Sequence, residues 1–199
     1  MSDNPHSDPD PATRRLRALA IRRRQIVEIV ALERARLARS RDPEIVDSCR
    51  DVIALLRDRR RILDAQVREA ACATEDGARR MALLQTLPGV GLDVAAELVA
   101  ELPELGALHR GAIASLAGLA PHGGQQSARG RSCVRAALYA AAMANLRSPA
   151  GFRAEYLALR EAGKPRKVAV VAIARKMVVT LNAMMREGSP WSGAPTQGV

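Results

Sequence analysis

The chain has 199 residues, of which 48% are hydrophobic, and a formal net charge of +10 at pH 7. Aromatic residues make up only 2%. This excludes recognition of single strands by rows of stacked rings, and it favours packed helices of Ala, Leu and Arg over a β-sandwich. The positive charge indicates a polyanionic partner, most simply nucleic acid.

The composition also limits the choice of compartment and metal chemistry. Cys49, Cys72 and Cys133 are far apart and odd in number, so we expect neither a disulfide framework nor a metal site. Residues 1–13, rich in Asp and Pro, predict a disordered lead rather than a signal peptide. No apolar run reaches the ~20 residues of a membrane span. We therefore expect a cytoplasmic protein without membrane contact.

Residues 14–73 predict a long helical hairpin. No Gly or Pro interrupts the segment before Ser40, and apolar residues recur at helical spacing. Residues 42–44 (Asp-Pro-Glu) then predict the amino end of a second helix. The hairpin either covers a globular core or forms a coiled coil with a second copy. We favour a homodimer through residues 14–73, because two helices alone cannot bury their apolar stripes.

Residues 77–105 predict a helix-hairpin-helix unit. A short helix at 77–85 precedes Leu-Pro-Gly-Val-Gly at 87–91, and a second amphipathic helix follows. Glycines in such a turn allow the helix amides to approach a DNA phosphate, independently of base sequence. The alternative is a plain corner between two helices; the net charge favours DNA contact. The residues predicted to contact DNA here are Pro88, Gly89, Val90 and Gly91.

Further short helices complete the predicted domain at 77–187. We expect them near 110–118, 132–146, 151–161 and 167–185, with a glycine-rich stretch leading to Ser127 and a loose tail at 188–199. The predicted fold is therefore all-α, with a hairpin or coiled coil followed by a compact helical domain.

Positive charge is concentrated between residues 129 and 176. This segment has eleven basic and two acidic residues, a net charge of +9. Three of the cations open the last helix, where the macrodipole disfavours positive charge unless an anion is nearby. This predicts a phosphate partner, with a solvated basic loop as the alternative. The cations predicted to bind DNA are Arg129, Arg131, Arg135, Lys164, Arg166, Lys167, Arg175 and Lys176.

Seven short motifs follow one another in the second half of the chain. They are Leu-Pro-Gly-Val-Gly (87–91), Leu-Pro-Glu-Leu-Gly (102–106), Ala-Gly-Leu-Ala-Pro (117–121), Val-Arg-Ala-Ala-Leu-Tyr (134–139), Gly-Lys-Pro-Arg-Lys-Val-Ala (163–169), Arg-Lys-Met (175–177) and Leu-Asn-Ala-Met (181–184). In this order they resemble the C-terminal half of insertion-sequence transposases of the DEDD type, the bridge-RNA-guided recombinases. The resemblance extends from about residue 14 to residue 191.

The resemblance implies a domain plan and a reaction. Family members join a RuvC-like nuclease domain with four metal-binding acids to a coiled-coil connector and a transposase domain. Residues 14–73 would be the connector and residues 77–191 the transposase domain. Ser127 would be the serine that attacks the DNA backbone, with the arginines at 129, 131 and 135 offsetting phosphoryl charge. Double-stranded DNA and a guide RNA are the implied partners.

Departures from the family pattern leave several functions open. We expect this chain to lack the nuclease domain, so that it holds no cofactor and Mg²⁺ belongs only to that domain. The segment after Ser127 is also shorter than in the family, and Ser-Ala replaces Ser-Gly. The leading prediction is a truncated DNA-binding transposase of strand cleavage and transfer. The alternatives are a non-catalytic dimeric nucleic-acid-binding module and an assembly inhibitor of a full-length transposase.

Overall fold

The computed structural model describes residues 11–120 and 131–193. Within these ranges the chain forms eight helices and no strand, which confirms the all-α prediction. The helices are α1 (Pro11–Arg39), α2 (Pro43–Ala71), α3 (Glu75–Gln85), α4 (Leu92–Glu101), α5 (Arg110–Leu116), α6 (Ser132–Asn145), α7 (Arg153–Glu161) and α8 (Arg166–Glu187).

The chain divides into two compact units, Met1–Ala73 and Thr74–Val199. In the first unit, α1 and α2 pack along each other as the predicted hairpin. The Asp42 side chain accepts hydrogen bonds from the backbone N–H groups of Glu44 (2.9 Å) and Ile45 (3.3 Å). With proline at the next position, this cap starts α2 where the sequence predicts it.

A buried carboxylate aligns the two hairpin helices. Asp64 of α2 is only 8% exposed. The Nε of Arg23 on α1 lies 2.5 Å from one of its oxygens, and the Nε of Arg60 lies 3.3 Å from the other. Because a buried carboxylate is stable only with its counter-ions in place, the contact of Arg23 with Asp64 across the hairpin favours one alignment of the helices.

The second unit is built around α8, which contacts α3, α5, α6 and α7. Ten residues of α8 are buried, and they cover more than half of the helix circumference, as expected for a helix packed against several others. Among the residues described, α8 is the one helix long and apolar enough to cross a membrane by length and composition. Its most apolar window is 56% buried inside the protein, so this apolar surface forms the domain core.

The segment after α8 is docked as far as it is described. The backbone N–H of Trp191 donates to Oγ1 of Thr86 (2.9 Å), and its indole N–H donates to the carbonyl of Ala150 (3.2 Å). The indole also meets the ring of Phe152 edge-on, with centroids 5.3 Å apart. The predicted loose tail at 188–199 therefore includes a residue that connects two loops of the second unit.

Candidate nucleic-acid interface

The Leu-Pro-Gly-Val-Gly turn joins α3 to α4 and packs against α6. Val90 is only 4% exposed, so its side chain lies in the core rather than at the surface. Gly89 has a φ of +87°, and a Cβ there would lie 2.4 Å from the carbonyl oxygen of Ala141 and 2.6 Å from the nitrogen of Asn145. Glycine is therefore required by both the backbone conformation and the close approach of α6.

Asn145 holds this turn in place, a role that the sequence analysis did not predict. Its side chain is fully buried; the amide NH₂ donates to the carbonyl of Pro88 (2.7 Å), and the amide oxygen accepts from the N–H of Phe152 (2.7 Å). Gly151 lets the next loop approach, since a Cβ there would lie 2.5 Å from the carbonyl oxygen of Asn145. One side chain thus ties the turn to the loop before α7.

The amino end of α4 is the exposed part of the turn. Gly91 is exposed, and no atom lies within 4 Å of the position of its Cβ. No side chain among the described residues caps the helix there. Yet Asp93 lies in the first turn, and residues 74–120 contain six acidic and only three basic residues. A phosphate at this end would find N–H donors, but its counter-charge must come from other segments.

Arg131 is held by protein partners of its own. Its guanidinium donates to both carboxylate oxygens of Glu104 (2.7 and 2.8 Å) and to the carbonyl of Glu101 (2.7 Å). These contacts, the hydrogen bond with Glu104 first, raise the pKa of Arg131 despite its partial burial. Its backbone N–H donates to the carbonyl of Leu116 (3.0 Å). The side chain of Arg131 therefore anchors the start of α6. A phosphate would have to compete with the carboxylate of Glu104 for this guanidinium.

The predicted nucleophile Ser127 and the predicted cation Arg129 lie outside the described residues. The structure describes the residues on either side of them. The backbone N–H of Arg131, on the carboxyl side of residues 121–130, donates to the carbonyl of Leu116 on the amino side. This hydrogen bond joins the two flanks.

Lys176 connects α8 to α7. Its ammonium lies 2.6 Å from a carboxylate oxygen of Glu155 and 4.9 Å from the ring centroid of Phe152. Burial raises the pKa of Glu155. The hydrogen bond from Lys176, a backbone hydrogen bond and the charge of Lys176 lower this pKa by more, so it lies below its ordinary value. The predicted cation Lys176 therefore forms an ion pair with Glu155 of the same chain, beside the ring of Phe152.

The predicted cations at the start of α8 are exposed. The loop before them is ordered by a helix-terminating turn: Gly163 has a φ of +78°, and the N–H of Lys164 donates to the carbonyl of Leu159 (3.0 Å). Pro165 precedes the helix, and its first turn contains no acidic residue. Within the described ranges, Lys164, Arg166 and Lys167 have no ion-pair partner. In the described part of the second unit they form a group of exposed positive charges without an ion pair.

The remaining predicted cations are less accessible. Arg135 on α6 and Arg175 on α8 are half-buried and likewise have no ion-pair partner in the described part of the chain. Of the eight predicted cations, seven lie in the described residues: two are anchoring, Arg131 and Lys176, and five have no ion-pair partner there.

Comparison with known proteins places this unit in context. Residues 81–157 match the model of the family described as "Transposase IS116/IS110/IS902 family". The chain is also 27% identical, over 165 residues, to a protein of Streptomyces coelicolor named "Insertion element IS110 uncharacterized 43.6 kDa protein". The chain is related to insertion-sequence transposases. The alignment covers 78% of this chain and 40% of that relative, so the chain spans well under half of the relative's length.

The transposase-like segment runs from the last turns of α3 into α7. It includes the Leu-Pro-Gly-Val-Gly turn, Asn145 and Arg131 with its partner Glu104. Lys164, Arg166 and Lys167 lie beyond it. The α3–turn–α4 arrangement has the helices and the turn that the sequence predicts, while its assignment as a DNA-binding helix-hairpin-helix stays a prediction.

Proposed function

We propose that this chain binds double-stranded DNA and takes part in strand cleavage and transfer during transposition of an insertion sequence. The observation that carries the proposal is the match of residues 81–157 to the transposase family. The exposed, uncompensated cations at the start of α8 support it, because phosphodiester groups are the anions that such a cluster attracts most readily. A guide RNA would offer the same backbone chemistry.

Ser127 is the proposed nucleophile. Its Oγ would attack phosphorus, forming a P–O bond to serine while the P–O bond to one deoxyribose oxygen breaks. The serine proton would end on the released sugar hydroxyl, and the DNA would remain linked as a phosphoserine ester. Arg135 is the proposed cation for the phosphoryl oxygens, since the guanidinium of Arg131 is already engaged by Glu104.

Mg²⁺ is not assigned to any residue of this chain. Within residues 11–120 and 131–193, no three His, Cys, Asp or Glu side chains converge as metal ligands would. We propose that Mg²⁺ is bound by the nuclease domain that the resemblance implies.

A covalent-adduct assay tests the proposed function. The protein is incubated with supercoiled donor and target DNA, denatured, and analysed for protein-linked DNA. We expect an adduct that is lost in Ser127→Ala and retained in Ser132→Ala, a control that removes an exposed hydroxyl at the start of α6. DNA binding without any adduct in the wild type would favour the alternative, a non-catalytic binding module. An adduct that survives Ser127→Ala would exclude this serine as the nucleophile.

We also propose that residues 14–73 form a homodimer. Four large apolar side chains of α2 are more than a third exposed, at spacings of seven, three and seven residues, which is the repeat of a coiled-coil seam. We call this set the apolar stripe: Ile45, Val52, Leu55 and Ile62. A second copy of the same stripe is the self-complementary partner that a two-fold dimer requires.

A further inference from the structure

The first unit contains a large positive charge that the proposed dimer does not explain. Residues 14–73 contain sixteen arginines, no lysine and nine acidic residues, a net charge of +7. Dimerisation through the apolar stripe would not neutralise this charge. The arginines of the hairpin therefore need their own explanation.

Four of these arginines lie in a line along α2. They are separated by seven, four and seven residues, which places them on one side of the helix. We call them the arginine strip: Arg50, Arg57, Arg61 and Arg68. At a rise of 1.5 Å per residue the strip is about 27 Å long, roughly the axial length of eight base pairs at 3.4 Å each.

Arg50 and Arg61 of the strip are exposed and only weakly compensated, whereas Arg68 is half-buried. The side chain of Arg50 is 65% exposed, and its Nη1 lies 3.0 Å from Oδ1 of Asp47. The side chain of Arg61 is 79% exposed and pairs with Asp58. Both acids are also well exposed, so solvent screens these pairs and a phosphate can replace them at little cost. Arg57 is exposed as well. Arg57 and Arg61, four residues apart, repel each other on the free helix.

The strip also borders a concave surface. Arg57, Arg60 and Arg61 line one surface concavity with Ala54 and with Asp58, the acid that pairs with Arg61. Arg60 is held there because its Nε lies 3.3 Å from a carboxylate oxygen of the buried Asp64. Arginine in such a position can donate two parallel hydrogen bonds to one phosphate, which lysine cannot.

We infer that the arginine strip of α2 is a second nucleic-acid-binding surface, which contacts the phosphodiester backbone of a duplex. The apolar stripe occupies another side of α2, so a dimer seam and the strip can be used together. This inference goes beyond the proposed function, which assigns the hairpin no nucleic-acid contact.

Paired substitutions in the full-length chain test the inference. The strip variant is Arg57→Gln/Arg61→Gln. Its matched control, Arg22→Gln/Arg59→Gln, removes the same charge from two exposed arginines of the hairpin that lie off the strip. Binding to a 30-base-pair DNA duplex is measured by anisotropy across a salt series. We expect the strip variant to lower the slope of log K against log salt by about 1.8, at ~0.9 per lost phosphate contact, and the control to change it by less than about 0.5.

Each outcome decides the inference. Equal losses in the two double variants, or no loss in the strip variant, would overturn it, since non-specific attraction depends only on net charge. Arg57→Lys/Arg61→Lys keeps the charge and should keep most of the slope, which separates lost contacts from lost folding. Repeating the measurement with an RNA duplex of the same sequence shows which nucleic acid the strip contacts. A lower slope of log K against log salt with either duplex supports the inference. Lys164→Gln/Arg166→Gln reports separately on the proposed function, so the two proposals can fail independently.

Discussion

The two units use apolar side chains in opposite ways. Among the residues described, the hairpin buries eight apolar side chains and leaves eight large ones exposed, whereas the second unit buries twenty-seven and exposes three. The second unit encloses α8 with four other helices, while each hairpin helix packs along a single neighbour within its unit. Periodic apolar residues therefore indicate a helix in both units, but only the number of neighbouring helices decides whether the periodic face is buried.

The largest expected effect concerns the rigid turn of the second unit. Gly89→Ala should destabilise that unit by about 3 kcal/mol or more, because its Cβ would overlap backbone atoms of α6 at a positive φ. Gly91→Ala is the control, since nothing lies within 4 Å of its Cβ, and should cost less than about 1 kcal/mol. Urea unfolding followed by circular dichroism measures both. Equal stability of the two variants would show that the turn is not held against α6.

An intermediate effect is expected in the hairpin. Leu55→Glu/Ile62→Glu places charges in the apolar stripe and should weaken self-association at least ~10-fold, because burying the exposed half of each side chain in a dimer is worth roughly 1 kcal/mol. Sedimentation equilibrium measures the dissociation constant. Leu157→Glu, at a residue 46% exposed on α7, is the control and should leave the association unchanged. Monomeric wild-type protein, or a dimer insensitive to the double substitution, would contradict the dimer proposal.

The smallest effect concerns the ion pair between α7 and α8. Because the pKa of Glu155 is lowered in the folded protein, its ionised form contributes stability above the ordinary value of 4.5, and this contribution is lost as the pH falls through the lowered pKa. Glu155→Gln should therefore cost less than about 1 kcal/mol at pH 7, a small amount because both partners are about one-third exposed. The cost should decrease as the pH falls below 4.5 and vanish once the pH is below the lowered pKa. Urea unfolding of the wild type and of this variant across that pH range measures the cost.

Much of this architecture could be predicted from the sequence. The residues at 42–44 predict the start of α2, and the glycines at 89 and 163 mark turns that adopt positive φ. The ends of helices were predicted less well: α3 begins at Glu75, where the Thr74 hydroxyl accepts a hydrogen bond from the N–H of Gly77. Such a cap depends on a single local contact, which the apolar pattern does not record.

The long-range polar contacts could not be predicted. Asn145 is joined to Pro88 across 57 positions, and Asn182 of α8 donates to the carbonyl of Leu108 across 74. An asparagine inside a helix has no pattern that names such a partner. For the same reason Arg131 was predicted as a phosphate ligand, although its arrangement with Glu104 emerges only when α6 is placed beside the loop after α4.

The docking of Trp191 has a practical consequence. All four aromatic residues of the chain, Tyr139, Phe152, Tyr156 and Trp191, belong to the second unit. Ultraviolet emission excited at the indole therefore reports solely on that unit, from a ring in contact with Phe152. Melting recorded by emission and by far-ultraviolet ellipticity would thus separate the loss of the second unit from the loss of the hairpin, without any label being attached.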